Sequence, residues 1–192
     1  NASQIIHDNS TELHIVGGLH PELGLDYYVD MIGSIHEKFP EVHLQAFTAV
    51  EIAHFAEISG MSTYETLKKL KDAGLGSLPG GGAEVFSTDV RKELCPEKLS
   101  GDEWLNTMRT AHNLGMRSNA TMLYGHIEKN EDRVNHLLKL RELQDETGGF
   151  MSFIPLAFHP KNTDLKDFSS TAGILDLKML AIGRLMLDNF DH

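Results

Sequence analysis

Glycine, histidine and glutamate residues gather at the places where five short apolar runs end. These clusters occupy residues 17–21, 48–51, 80–84, 124–128 and 159–160. A glycine lets a ligand approach the backbone closely, and a glutamate can bind a ribose hydroxyl or an amino group. The combination predicts a binding site for a polar small molecule.

Two of these clusters are rich in glycine. Gly17 and Gly18 fit either a tight turn or a loop that touches a ligand. Gly80, Gly81 and Gly82 are harder to explain as a turn, because consecutive glycines carry a large entropic cost and add nothing to a core. They predict a loop of bare N–H groups around a polar ligand. No Gly-Lys-Ser/Thr follows them, so the loop is not a nucleotide P-loop.

Acidic and imidazole side chains complete the clusters. Glu51 and Glu84 fit a ligand contact and a helix N-terminal acid equally well, and Glu128 is a further candidate. His20 and His159 each follow a predicted strand and precede a proline, which makes both candidates for facing the ligand. Neither H-E-x-x-H nor paired cysteines occur, so a zinc site has little support.

The apolar runs alternate with helical patterns. Runs typical of strands cover residues 12–16, 43–49, 74–78, 118–123 and 150–158. Capping-box spacings at Ser62 and Ser100 predict the starts of two intervening helices, and the aliphatic stripes on the helices are predicted to be core. This alternation predicts an α/β fold with a parallel sheet, whose functional residues lie at the carboxyl ends of the strands.

Two architectures fit this order: an open doubly wound sheet, or a partial (β/α) TIM-type barrel of about five βα units. A complete barrel has eight strands and about 250 residues, whereas this chain has 192. One domain covering residues 1–192 is expected. The chain begins with Asn1 and still reads as helix near its end, so we expect the central part of a barrel, truncated at both ends.

Composition excludes several classes of protein. Acidic residues outnumber basic ones 28 to 17, which gives a net charge of −11. Generic nucleic-acid binding and attachment to anionic membranes are therefore disfavoured, and no apolar run is long enough to span a bilayer. The single cysteine, Cys95, excludes an internal disulfide and favours a reducing, cytoplasmic location.

Taken together, the strand-end segments resemble the radical S-adenosylmethionine enzymes of the futalosine route to menaquinone. The segments are HIVGGLHP (14–21), FTAVEI (47–52), LGSLPGGGAEVF (75–86), ATMLYGHIE (120–128) and RELQDETGGF (141–150). FIPLAFHP (153–160) is most similar to the aminodeoxyfutalosine synthase branch. In the cyclic dehypoxanthine futalosine synthase branch, Trp would be expected at Leu156 and Gln at His159. The enzymes that build the deazaflavin coenzyme form a third branch.

The resemblance implies a (β/α) barrel that binds S-adenosylmethionine and a [4Fe–4S] cluster. It implies addition of a 5′-deoxyadenosyl radical to 3-[(1-carboxyvinyl)oxy]benzoate, with electrons from a reductant protein such as flavodoxin or ferredoxin. The family holds its cluster in a C-x₃-C-x₂-C loop, which this sequence lacks. The chain is therefore expected to be a fragment of the enzyme, inactive alone.

Site residues follow from the same resemblance. It places Gly17 and Gly18 at the methionine amino group. It places five further residues around the nucleoside and its adenine: Glu84, Thr121, Glu128, Ile154 and Pro155. The substrate is a dianion that enters an acidic protein, so nearby cations or donors must offset its desolvation. Candidates for that role are His20, Arg91 and His159, and Arg91 fits an ion pair on the surface of a helix equally well.

Two hypotheses from other functional classes stay open. One is a metal-dependent hydrolase on the same barrel, with His20, His126 and His159 as ligands. The other is a non-catalytic ligand-binding or assembly domain, which the missing cysteine loop makes reasonable.

Overall fold

Five parallel strands form the centre of the molecule. The computed structural model describes residue 6, residues 9–167 and residues 170–192. The strands are β1 (Glu12–Ile15), β2 (His43–Ala46), β3 (Ser77–Leu78), β4 (Arg117–Tyr124) and β5 (Phe150–Ala157). Each coincides with one of the five predicted runs, which confirms the prediction of an α/β fold.

The described residues also form seven helices. They are α1 (Leu25–Lys38), α2 (Ala49–Ser59), α3 (Thr63–Asp72), α4 (Thr88–Leu94), α5 (Gly101–Asn113), α6 (Asn130–Thr147) and α7 (Gly173–Met186). Capping boxes begin α2, α3 and α5, so the predicted boxes at Ser62 and Ser100 are confirmed. Helix α4 was not predicted, because a seven-residue segment is too short to show a helical repeat. No helix in this part of the chain is long and apolar enough to cross a membrane.

The strand order separates the two predicted architectures. The strands lie in the sheet in chain order, β1-β2-β3-β4-β5, and every neighbouring pair is parallel. A doubly wound sheet reverses its order at a switch point, and the described strands contain no such reversal. Right-handed crossovers between strands in chain order place all helices on one face, as in a barrel. The fold is therefore a partial TIM-type barrel with β1 and β5 at its edges.

The two faces of the sheet have different environments. Leu44, Ala46, Leu78, Ala120 and Met122 point toward the helices and are completely buried. Side chains at alternate positions lie on the opposite face, which is the face that a closed barrel would enclose. At the free edge of β5, His192 donates to the Met151 carbonyl and accepts from the Phe153 N–H, as a parallel neighbour does.

Helix α7 departs from the prediction that aliphatic stripes are core. Ile174, Leu177 and Leu185 are 63%, 65% and 78% exposed. Only Met179 and Gly183 of this helix are buried. The prediction was wrong for α7, because periodicity shows that a helix has an apolar face but not what that face packs against.

Packing between α5, α6 and β4 makes the fold sensitive to acid. The ring of His112 bonds to the hydroxyls of Thr147 and Ser118 at 2.7 and 2.8 Å. Burial, with a smaller effect from Arg117 and Arg109, lowers the pKa of His112 from 6.5 to about 4. Between these two pH values the unfolded ring binds a proton and the folded ring does not, so stability falls as the pH drops.

Because of His112, we expect the free energy of unfolding to fall by about 3 kcal/mol as the pH drops from 6.5 to 4. Urea unfolding at a series of pH values measures this loss. His112→Gln should make the profile less steep in that window. The remaining loss of stability there would come in part from His136, whose pKa is lowered from 6.5 to about 3 by burial. Identical pH profiles for the variant and the parent chain would contradict the assignment to His112.

Candidate cofactor and substrate site

A cleft of about 320 Å³ opens at the carboxyl ends of β1, β2 and β3. Its lining comes from four segments of the chain: Val16, Gly17, Gly18, Leu19, Thr48, Val50, Glu51, Gly82, Glu97 and Lys98. Four predicted site residues therefore meet here, namely Gly17, Gly18, Glu51 and Gly82. Parallel strands bring these segments together although their residues lie up to 82 positions apart in sequence.

Glu51 holds the first glycine of the pair in place. Its carboxylate accepts hydrogen bonds from the Gly17 N–H at 3.1 Å and from the Thr48 N–H and hydroxyl at 2.8 and 2.9 Å. Glu51 is 4% exposed, so its oxygens are committed to the protein. Gly18 is exposed, and an added Cβ there would meet nothing within 4 Å.

The three consecutive glycines are needed for packing of the protein itself. A Cβ on Gly80 would lie 2.8 Å from the Asn119 carbonyl oxygen, and one on Gly81 would lie 2.8 Å from Thr48 Cγ2. Gly82 has a φ of +82°, and its Cβ would lie 2.6 Å from Val50 Cγ2. The loop therefore presses against β4 and the start of α2. Only Gly82 of the three also lines the cleft.

Arg91 does not serve as a substrate contact. Its guanidinium is buried and donates to the backbone carbonyls of Ala83, Val85, Gly82 and Leu99. These bonds use the cation to hold the loop after β3 in its conformation. Arg91 cannot reach a substrate because it lies in helix α4, which turns its side chain back toward that loop.

Lys98 is the cation that the sequence did not single out. It lines the cleft, and its ammonium lies 2.8 Å from Glu84 Oε1. Burial alone would lower the pKa of Lys98, but the hydrogen bond and charge of Glu84 outweigh it and raise the pKa. Lys98 is therefore charged at neutral pH. Glu84 itself adopts a left-handed backbone with a φ of +45°, which turns the chain beside the cleft.

Thr121 and Glu128 are bound within the protein. The Thr121 hydroxyl donates to the Gly80 carbonyl at 2.6 Å. The Glu128 carboxylate accepts from the N–H groups of Gly125 and His126 at 2.6 and 2.8 Å and pairs with Arg133. Its side chain is completely buried. Both residues shape the ends of β3 and β4, and their polar atoms do not face the cleft.

The remaining predicted residues lie along β5 and on exposed loops. Ile154 is on the open face of the sheet and is 41% exposed, whereas Pro155 is on the helix side, in a groove with Leu180 of α7. His159 is exposed beyond the end of β5. His20 is exposed beyond β1, where its Nδ1 accepts from the Glu22 N–H at 3.2 Å.

The described residues do not fit an iron–sulfur cluster or another metal. Cys95 is the single cysteine, and it is buried. Burial raises the pKa of its thiol, which disfavours the thiolate that a cluster needs. The described part of the chain has no group of three or more His, Cys, Asp or Glu side chains placed to hold a metal. His20, His126 and His159 accordingly form no metal site.

Comparisons with known proteins identify related sequences. The model of the radical SAM superfamily matches residues 2–140. Aminodeoxyfutalosine synthase of Thermus thermophilus is 51% identical over 188 residues, which are 95% of this chain and 50% of that protein. The Streptomyces coelicolor synthase is 47% identical, over 96% of this chain and 50% of its own length.

A further relative and a solved structure are also similar to this chain. A 5-amino-6-(D-ribitylamino)uracil–L-tyrosine 4-hydroxyphenyl transferase of Methanosarcina barkeri is 44% identical over 93% of this chain and 49% of its own length. The crystal structure of methylornithine synthase covers 98% of this chain and 51% of that one, with a TM-score of 0.70 at 17% identity. This chain spans about half the length of the curated relatives it matches.

Proposed function

Because the chain belongs to the radical SAM superfamily, whose enzymes use S-adenosylmethionine and a [4Fe–4S] cluster, we propose that it is the central part of an aminodeoxyfutalosine synthase. The 51% identity to the Thermus thermophilus synthase over 95% of the chain carries this proposal. The reaction would join the 5′-deoxyadenosyl group to 3-[(1-carboxyvinyl)oxy]benzoate in menaquinone biosynthesis. A cytoplasmic reductant such as flavodoxin or ferredoxin would supply the electron.

The cleft is complementary to the amino-acid end of S-adenosylmethionine. An α-amino acid carries an ammonium and a carboxylate. Lys98 lines the cleft and offers a charge opposite to that of the carboxylate, and Glu84 pairs with Lys98 beside the cleft. Gly17 and Gly18 add exposed backbone that a ligand can approach closely. When bound, S-adenosylmethionine and the cluster supply a carbon radical, and the cluster ligands would come from outside residues 1–192.

The residues of this chain bind and orient the reactants in this proposal. Glu51 fixes the Gly17 amide, Arg91 fixes the loop after β3, and Glu128 fixes the turn after β4. His20 follows β1 and His159 follows β5, and both are exposed, so that each could donate to an anionic substrate. Pre-ordered loops bind more tightly, because less conformational entropy is lost on binding.

A second candidate is supported by the 44% identity to the 4-hydroxyphenyl transferase of Methanosarcina barkeri. The test is an anaerobic assay of the complete enzyme with S-adenosylmethionine, a reductant and either substrate set. Aminodeoxyfutalosine, identified by mass spectrometry, is the expected product. A 4-hydroxyphenyl adduct formed from tyrosine and the aminouracil would establish the second candidate. Formation of cyclic dehypoxanthine futalosine from its precursor would point instead to the cyclic dehypoxanthine futalosine synthase branch.

Lys98 should control affinity for S-adenosylmethionine. In the complete enzyme, Lys98→Met is expected to weaken binding by about 10- to 150-fold, the range for one hydrogen bond to a charged group. Isothermal calorimetry measures the change. Lys92→Met is the matched control, since Lys92 is an exposed lysine of α4 that does not line the cleft. Equal losses in both variants would mean that Lys98 acts only through net charge.

A further inference from the structure

The open face of the sheet carries a row of uncharged polar side chains outside the cleft. Ser152 Oγ donates to Asn119 Oδ1 at 2.7 Å, and Asn119 Nδ2 donates to Gln45 Oε1 at 3.4 Å. Gln45 Nε2 then donates to Ser77 Oγ at 3.1 Å, which in turn bonds to a ring nitrogen of His43 at 2.7 Å. The row therefore crosses four neighbouring strands.

The bonds from Ser152 through Asn119 and Gln45 to Ser77 run in one direction and fix the amide groups. Ser152 donates to Asn119, and Asn119 donates to Gln45. A primary amide nitrogen carries two hydrogens. Within the described residues, Asn119 Nδ2 has Gln45 as its acceptor, which leaves its second hydrogen for a ligand. Asn119 is also only half-buried, whereas Gln45 is 4% exposed. Asn119 is thus the donor that the row presents.

Apolar side chains stand between this row and the ends of the strands. Ile154 and Leu156 follow Ser152 at alternate positions of β5 and are 41% and 45% exposed. They pair in register with Thr121 and Leu123 of β4. A strand rises about 3.3 Å per residue, so Ile154 lies roughly 7 Å nearer to the carboxyl end of β5 than Ser152 does. The distance between Ser152 and Ile154 along the strand is suited to a planar ring.

Charged groups on this face lie away from the middle of the row. Glu12 and Arg117 are the first residues of β1 and β4, at the opposite end from the cleft. Arg117 is already paired with Asp191. A carboxylate at Asn119 would therefore meet a neutral donor and no adjacent acidic group. Hydrogen bonds to a charged acceptor are about twice as strong as neutral ones.

We propose that Asn119 binds the ring carboxylate of the aromatic acid substrate, with Ser152 holding its amide and Ile154 contacting the ring. This inference rests on the proposed function and adds a site for the end of the substrate that does not react. The substrate stands with its carboxylate on the row and its alkene toward the cleft. The row thereby distinguishes an aryl carboxylate from an unsubstituted phenyl ring.

The test compares two substrates in the complete enzyme: the carboxylated enol ether and the same phenyl enol ether without its ring carboxylate. In the parent enzyme, loss of the ring carboxylate should lower kcat/KM by about 10- to 150-fold. Asn119→Leu should lower kcat/KM for the carboxylated substrate by a similar factor and reduce the discrimination to less than about 3-fold. Asn119→Asp, which has nearly the same shape, should discriminate even less because its charge repels the carboxylate.

The outcomes distinguish a failure of the proposed function from a failure of the role proposed for Asn119. If the parent enzyme forms no aminodeoxyfutalosine, the proposed function fails. If it forms this product but uses both substrates equally well, or if both Asn119 variants keep the discrimination, the function stands and the role of Asn119 is refuted. Asn106→Leu, on the exposed face of α5, is the control and should behave as the parent. Cleavage of S-adenosylmethionine without substrate should persist in the Asn119 variants, which shows that they fold.

Discussion

Replacement of Glu128 by alanine is expected to lower the free energy of unfolding by about 3–5 kcal/mol, the cost of breaking a buried ion pair. The Glu128 carboxylate binds the N–H groups of Gly125 and His126 and pairs with Arg133. Alanine would leave the two N–H groups without acceptors and the mostly buried guanidinium without its counter-charge. Urea unfolding of the complete enzyme measures the loss.

A control three residues further along the chain separates burial from charge. Glu131 is exposed in the first turn of α6, and Glu131→Ala should change stability by no more than about 0.5 kcal/mol. The stability loss of Glu128→Gln should lie between those of the two alanine variants, because glutamine keeps one acceptor oxygen but loses the charge. If Glu128→Ala kept its stability and lost affinity for S-adenosylmethionine instead, Glu128 would face the nucleoside, as the resemblance implies.

The fold was largely predictable because its strands are short apolar-rich runs, most of which are followed by glycine or proline. Parallel strands in a barrel are buried on the helix face, and this burial selects residues such as Leu44 and Met122. Sequence order could not distinguish a barrel from a doubly wound sheet, since both alternate strand and helix. That distinction depends on strand neighbours, which only the structure gives.

The location of the site was also predictable, but the roles of individual residues were not. Parallel topology places every loop after a strand on one edge, so Gly17 and Gly82 had to lie close together. Whether a side chain faces the ligand or the protein depends on local geometry. Arg91 turns inward to four carbonyls, while Lys98 reaches the cleft. Both are cations after the same loop, and residue type alone gives no reason to prefer Lys98.

The row of Gln45, Ser77, Asn119 and Ser152 was missed for a related reason. Each member is an ordinary polar residue inside an apolar run, and no spacing in the sequence connects them. They meet only because the register of β2 to β5 aligns them. An irregularity between β4 and β5 near Ser118 and Ala120 shifts this register by one residue. The shift places Ser152 beside Asn119, and no pattern in the sequence indicates it.

The glycine loop allows a test in which stability and ligand binding respond to different residues. Gly80→Ala is expected to lower the free energy of unfolding by about 2–3 kcal/mol, in the upper part of the range for overpacking. The added Cβ would lie 2.8 Å from the Asn119 carbonyl oxygen and 2.9 Å from Ala120 Cα. These are backbone atoms of β4, which cannot move without disturbing their pairing with β3 and β5. Urea unfolding of the complete enzyme measures the effect.

Gly18→Ala should show the opposite behaviour, although it is the same substitution. Nothing lies within 4 Å of its added Cβ, so stability should stay constant or rise by about 0.4–1 kcal/mol through the unfolded state. Affinity for S-adenosylmethionine should fall, because the methyl group stands where the ligand would approach the backbone in the cleft. Suppose instead that Gly80→Ala were stable and lost affinity while Gly18→Ala were silent in both assays. The consecutive glycines would then be the ligand-binding loop that the sequence predicts, and the glycine pair after β1 only a turn.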